Sequence, residues 1–287
     1  MSNIAATTPF DYNPTGNWPV RIYYRNTDGN VKEWCLDTGL GGTVENWYAG
    51  GFPQQPAEHI AAISWKDKTR NNQIRVYLSD GSNITEWVFS AGWVKGALSV
   101  PGKYVAAACF GDVPALRVYV SDGTNITEWC NDDGSINWYK GNFQAKGGDL
   151  AAAAWETRGS YIRVYVINGG NVEEHCADPG SGWYNGGYTL PPGVVPSAVA
   201  ATRWSQGWGS NYLDVYVADV RDNITRQTTA GGWTQDKTFQ ALGSSVATIV
   251  YDQGGWIKWE AYTMVNSVIT ERIYVAGLAW QNRSFPA

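Results

Sequence analysis

The chain has 287 residues, of which 44% are hydrophobic and 16% charged, with a net charge of −5 and a pI near 5.1. That composition excludes intrinsic disorder, which needs low hydrophobicity with high charge, and the acidic balance excludes a basic nucleic-acid footprint. No run of about 18 apolar residues is long enough to cross a membrane as a helix.

Met1-Ser-Asn-Ile-Ala-Ala-Thr-Thr-Pro9 opens the chain without the basic and apolar regions of a secretory signal. Cytoplasmic residence, or secretion without a leader, is expected. A motif then recurs along the sequence. Arg21-Ile-Tyr-Tyr24 followed by Val31-Lys-Glu-Trp-Cys35 returns as Arg75-Val-Tyr-Leu78 and Ile84-Thr-Glu-Trp87. The third copy is Arg117-Val-Tyr-Val120 with Ile126-Thr-Glu-Trp-Cys130, and the fourth is Arg163-Val-Tyr-Val166 with Val172-Glu-Glu-His-Cys176. Two looser copies follow, Asp214-Val-Tyr-Val217 with Ile224-Thr-Arg-Gln227, and Glu260-Ala-Tyr-Thr263 with Ile269-Thr-Glu-Arg272. Alanine-rich segments such as Val105-Ala-Ala-Ala-Cys109 and Leu150-Ala-Ala-Ala-Ala-Trp155 precede most copies, and Trp-led segments starting at Trp47, Trp93, Trp138, Trp183, Trp233 and Trp280 trail them. A repeat of about 42–54 residues holding four short strands is the signature of a propeller blade. Six copies predict an all-β, six-bladed propeller with four antiparallel strands per blade. With no linker visible, residues 1–287 are expected to be one domain.

The middle hairpin of each repeat carries an arginine and a glutamate. Arg75 and Glu86 are symmetric about Asp80-Gly81, Arg117 and Glu128 about Asp122-Gly123, and Arg163 and Glu174 about Asn168-Gly169. Two-residue turns centred on those dipeptides predict each arginine directly opposite its glutamate on one face. The first copy has one more residue around Thr27-Asp28-Gly29, which predicts a three-residue loop or bulge. Such a couple can serve simply to stabilise a hairpin. The fifth repeat reverses its charges (Asp214, Arg226) and the sixth carries two acids (Glu260, Glu271), which is how a ligand site lost in two blades would look.

Guanidinium supplies rigid donors and carboxylate supplies acceptors. Side by side they suit a ligand with vicinal hydroxyls, which is a sugar. The 16 Trp and 17 Tyr, against 7 Phe, supply flat faces with a polar handle for the sugar's C–H groups. Neither His59 nor His175 sits in zinc-ligand spacing, so no metal or other cofactor is expected. Cys35, Cys130 and Cys176 share one repeat position and are read as buried free thiols. Asn83, Asn125 and Asn223 fit glycosylation sequons but occupy a turn slot that Asn30 and Asn171 fill without one, so they are read as hairpin residues.

The combined pattern, Arg-Val-Tyr…Ile-Thr-Glu-Trp-Cys…Trp-Tyr-x-Gly-Gly-Phe, resembles the fucose-binding lectins of the Aleuria aurantia lectin type over all six repeats. The resemblance implies a non-enzymatic, multivalent, metal-independent lectin that agglutinates cells by binding L-fucose and fucosylated glycans or glycoproteins between adjacent blades. It also implies no nucleic acid, no membrane insertion and a possible homodimer. Carried over by position, cleft one takes Arg21 and Glu33 with Ile74, Phe89 and Trp93 of the next blade. Cleft two takes Arg75 and Glu86 with Leu116 and Trp138, and cleft three Arg117 and Glu128 with Ile162 and Trp183. Arg163 and Glu174 with Leu213 and Trp233 make cleft four, while Gly51, Ala97 and Gly187 match the family's backbone-contact position. Asn131, Ala177 and Thr229 stand where the family often has a second aromatic, so clefts two to four are expected to bind more weakly than cleft one, and clefts five and six to be silent. The alternatives are a propeller glycosidase or sialidase-like enzyme, which would need a carboxylate pair about one bond, and a protein-interaction scaffold.

Overall fold

In the computed structural model the described residues are 3–9, 18–38, 47–69, 71–111, 114–206, 210–229, 232–253, 256–266, 268–275 and 279–285. They contain six antiparallel up-and-down sheets and no helix; five have four consecutive strands, and in the fifth blade the outer strand is split into Thr234–Gln235 and Ala241–Leu242, both paired with Asn223–Thr228. The innermost strands are Ile4–Thr7, His59–Lys66, Tyr104–Phe110, Leu150–Glu156, Pro196–Gln206 and Ser245–Gln253. Each touches the next around a ring, and the ring closes between the first and the last. These are the alanine-rich segments, and together they line a central cavity of about 1040 Å³.

Among the described residues every blade is cut from one contiguous stretch of chain, with no strand exchanged between blades. The seam is made by packing. Phe285 lies 4.8 Å from Trp47 and 5.9 Å from Trp34 of the first blade, and the Asn3 amide donates to Ser245 Oγ at 3.3 Å.

The second strand of each blade runs through its centre, and one fully buried tyrosine sits in each: Tyr23, Tyr77, Tyr119, Tyr165, Tyr216 and Tyr262. The face of a blade that carries this tyrosine meets the next blade. Tyr23 is edge-on to Trp93 at 5.9 Å, Tyr77 to Trp138 at 6.2 Å, Tyr119 to Trp183 at 6.2 Å and Tyr165 to Trp233 at 6.1 Å. Edge-to-face pairs of this kind add about 0.5–1.5 kcal/mol each beyond burial. They also fix every indole over a known point of the preceding blade. All four cysteines are free, and Cys35, Cys130 and Cys176 are buried.

Candidate functional site

Arg75 and Glu86 are diagonal neighbours rather than directly opposed. The strand register pairs Arg75 with Val88 and Tyr77 with Glu86. In the first, third and fourth blades arginine likewise faces cysteine (Arg21 with Cys35, Arg117 with Cys130, Arg163 with Cys176) and tyrosine faces glutamate. The expectation of direct opposition fails because the turns close one residue later than Asp-Gly. The Asp80 carboxylate takes the amides of Ser82 and Asn83 at 2.9 and 2.8 Å, so Gly81-Ser82 becomes the loop, with Gly81 at φ +91° in its first position. The Asp122 turn closes in the same way, and the fourth blade uses Gly169-Gly170. In the first blade Thr27-Asp28-Gly29 form a three-residue loop ending on Gly29 at φ +81°. The shift moves the register by an even number, so both side chains keep the same face. It also holds them apart, so that the couple does not neutralise itself: among the described residues only Arg75 and Glu86 come within 4 Å, at 3.7 Å.

Each glutamate is buried, and those of blades one, three and four are held from two sides. Tyr23, Tyr119 and Tyr165 donate their hydroxyls to Glu33, Glu128 and Glu174 at 2.9, 3.1 and 3.0 Å. The outer strand supplies backbone amides: Phe52 to Glu33 at 3.0 Å, Phe143 to Glu128 at 3.3 Å, Tyr188 to Glu174 at 3.0 Å, and both Ala97 and Leu98 to Glu86 at 2.9 and 3.1 Å. In the second and third blades that strand bulges at this point, which is how it turns its amides inward. Burial pushes the Glu33 carboxyl up, against the pull of the Tyr23 hydroxyl and Arg21, and it drives Tyr23 itself well above the usual phenol range. Burial likewise raises the Cys35 and Cys130 thiols to about 12, so they stay protonated beneath their arginines.

The neighbouring blade brings the carried-over apolar and aromatic residues against this face. Ile74, Phe89 and Trp93 pack with Tyr23; Leu116 and Trp138 with Tyr77; Ile162 and Trp183 with Tyr119. Trp233 reaches Tyr165, and Leu213 packs with Trp155 beside it. In cleft two the Trp138 indole donates to Glu86 at 3.4 Å. Gly51 and Gly187 leave open space where a side chain would stand, and Ala97 occupies the equivalent position in the second blade. The three residues offered in place of a second aromatic are occupied otherwise: Asn131 is buried and bonds the Ser135 carbonyl at 2.9 Å, Ala177 pairs with Ile162, and Thr229 accepts the Leu213 amide at 2.9 Å.

Two features escaped the sequence. One is the glycine before the Gly51 position. A Cβ on Gly50, Gly96, Gly141 or Gly186 would meet Oε2 of Glu33, Glu86, Glu128 or Glu174 at 2.2, 2.3, 2.0 and 2.1 Å. Gly141→Ala is therefore expected to destabilise by about 1–3 kcal/mol, lowering the melting temperature by roughly 2–6 °C. Gly51→Ala, which meets nothing, is the matched comparison and should melt within about 1 °C of the parent. The other missed feature is an aspartate two residues after the cysteine. Asp37, Asp132 and Asp178 bind Nη1 of Arg21, Arg117 and Arg163 at 2.9, 2.8 and 2.7 Å. Each also accepts a tyrosine hydroxyl from the outer strand, from Tyr48, Tyr139 and Tyr184 respectively.

Blades five and six depart from this plan. Arg226 stands where the others have glutamate and is clamped by Asp214 at 2.9 Å and Asp236 at 2.6 Å, with Trp280 of the sixth blade over it at 5.5 Å. Asp236 holds the glycine position, since its amide bonds the Arg226 carbonyl as the Gly50 and Gly186 amides bond those of Glu33 and Glu174. In the sixth blade Glu260 and Glu271, expected face to face, are again diagonal; the Tyr262 hydroxyl lies between them, 2.5 Å from Glu260 Oε2 and 3.1 Å from Glu271 Oε1. Among the described residues no group of three His, Cys, Asp or Glu is placed to hold a metal ion.

A family model described as fungal fucose-specific lectin matches residues 1–103 and 102–282 of the chain. A fucose-specific lectin of Aleuria aurantia is 34% identical over 106 residues, a stretch covering 33% of this chain and 31% of that relative, so the match spans about a third of the relative's length. Among solved structures, an Aleuria aurantia lectin mutant in complex with alpha-methyl-L-fucoside superposes with a TM-score of 0.77 at 22% identity, over 99% of this chain and 94% of that one. The SapL1 lectin in complex with alpha methyl fucoside gives 0.75 at 25% identity, over 99% and 95%. AofleA from Arthrobotrys oligospora gives 0.71 at 17% identity, over 100% and 88%. The structural likenesses below a quarter identity speak for the six-bladed fold.

Proposed function

The chain belongs to the fungal fucose-specific lectin family, and on that premise we propose that clefts one to four bind L-fucose and fucosylated glycans. The observation that carries this is a single arrangement found four times: an arginine and a buried glutamate on one blade face, offset diagonally, beneath an indole of the next blade. The glutamate accepts from hydroxyls, the arginine donates to them, and the indole face covers the apolar side of the pyranose. Ile74, Leu116, Ile162 and Leu213, each just before the arginine or aspartate of the next blade's second strand, are the apolar residues that would meet the sugar's methyl group.

Four sites fixed on one rigid ring favour surfaces over single molecules. Linked sites raise avidity by about 10²–10⁴ over one shallow site when a glycan-covered surface engages several. Glycoproteins displayed at high density are therefore the natural partners in this reading. Fucosylated cells should agglutinate at micromolar protein in the presence of a metal chelator, and millimolar free L-fucose should disperse them. Agglutination that free fucose leaves intact would exclude the reading. A blank glycan array together with a folded protein partner would instead favour a scaffold.

A further inference from the structure

The four clefts are not equivalent, and the difference lies in what holds the arginine. In blades one, three and four the guanidinium is fixed from its own blade. Nη1 donates to the carbonyl of the preceding residue (Val20, Leu116 and Ile162, at 2.9, 2.9 and 2.8 Å) and to the aspartate described above. The aspartate is in turn held by a tyrosine hydroxyl, at 2.5 Å for Tyr184 to Asp178. Nε and Nη2 of these three arginines make no hydrogen bond to the described residues, so a fixed edge of each fork is left for a ligand.

Blade two lacks the whole device. Its counterparts of cysteine, aspartate and tyrosine are Val88, Ser90 and Val94. Without the aspartate, Arg75 turns across the cleft and gives Nη2 to the Gly134 carbonyl of the third blade at 2.6 Å. Its Nε then faces Glu86 Oε1 at 3.7 Å, and those two atoms, with the Tyr77 hydroxyl, are buried and have no hydrogen-bond partner. This is also the most covered of the four sites: Glu86 is 1% exposed and Leu116 0%, whereas Glu33 and Glu174 are each 7% exposed.

Building on the lectin reading, we propose that Asp37, Asp132 and Asp178, each backed by its tyrosine, are positioning residues that preset the arginine for the sugar, and that cleft two, which lacks them, is the weakest of the four sites. Presetting lowers the ordering cost that binding would otherwise meet. In cleft two a sugar must first break the Arg75 to Gly134 bond.

The test isolates the sites. Two variants keep a single cleft arginine, Arg117 or Arg75, with the other three changed to alanine, and each is titrated with methyl α-L-fucoside by calorimetry. The Arg117 site should bind at least about tenfold more tightly. In that background Asp132→Ala should weaken binding about tenfold and Tyr139→Phe about threefold. In the Arg75 background Ser90→Asp with Val94→Tyr should tighten binding, a gain that a merely structural role cannot produce.

Equal affinity of the two single sites, or an Asp132→Ala variant within twofold of its parent, overturns the proposal. Should the triple alanine variants fail to fold, the parent protein still decides it. Indole N–H resonances followed during a fucoside titration should saturate last at Trp138, and saturation of Trp138 before Trp183 overturns the proposal. A parent protein that binds no fucoside at all sinks the lectin reading instead.

Discussion

Changing Arg21, Arg75, Arg117 and Arg163 together to alanine is expected to abolish both fucoside binding and agglutination while leaving the propeller folded. Each guanidinium supplies charge-assisted donors, and hydrogen bonds to charged groups are worth about 1.5–3 kcal/mol. The loss per site is thus of the order of 10- to 100-fold, and the gain from linkage collapses with it. The fold should survive because the side chains lie at the cleft rather than in the blade cores; those of Arg21 and Arg117 are each 15% exposed. The released partners in blades one, three and four are Asp37, Asp132 and Asp178, whose side chains are 44%, 55% and 32% exposed and can turn to water, and in blade two the Gly134 carbonyl and Glu86, which keeps its backbone amide donors. Calorimetric titration, haemagglutination and a melting curve on one preparation check all three points. Full fucoside affinity in the quadruple variant would refute the assignment of the site.

Glu271→Gln is expected to act on stability, with a sign set by pH. Glu271 and Glu260 are 1% and 0% exposed and share the Tyr262 hydroxyl, while Tyr251 donates to Glu260 at 2.6 Å. Burial first, and then the neighbouring Glu260 charge, push the Glu271 carboxyl up to about 8, against the pull of Tyr262 and Lys258. Its ordinary value is 4.5, so folding favours the protonated form. The native state therefore binds more protons than the unfolded state between about pH 4.5 and 8, and stability falls as pH rises across that window. Glutamine keeps the site neutral at every pH. The variant should melt about 5–10 °C above the parent at pH 8.5 and close to it near pH 4.5, a gap that corresponds to roughly 2–4 kcal/mol. Thermal melts from pH 4 to 9 check this. Parallel curves for parent and variant would mean that Glu271 ionises freely in the folded protein.

The repeat made the fold readable, because period, alanine-rich inner segments and Trp-led outer segments each map onto one blade position. The site was readable to the level of faces. Parity alone places Arg75 and Glu86 on one side of a strand, and an even register shift cannot alter that. The exact pairing was not readable, since it depended on whether Asp80 sits inside the turn or caps it, and the capping bonds to Ser82 and Asn83 are a three-dimensional fact. Asp37 was overlooked because an aspartate following a strand reads as a loop residue, and only the fold carries Arg21 back beside it. Gly50 was overlooked because glycine in a Gly-Gly pair reads as a turn, whereas what demands it is the carboxylate 2.2 Å from where its Cβ would lie.

That glycine constrains how a blade can change character. Blade five has both halves of an exchange, Arg226 for glutamate and Asp236 for glycine, joined at 2.6 Å. In blade six Arg283 faces Glu271 at the corresponding place. In the fifth blade the two halves answer each other: without Asp236, Arg226 would keep only Asp214 as an ion-pair partner, and without Arg226, Asp236 would lose its cation. Returning that blade to the glutamate-and-glycine pattern therefore takes two coordinated changes. Among duplicated copies that drift independently, a blade that has made the exchange is thus held to its new pattern by that coupling.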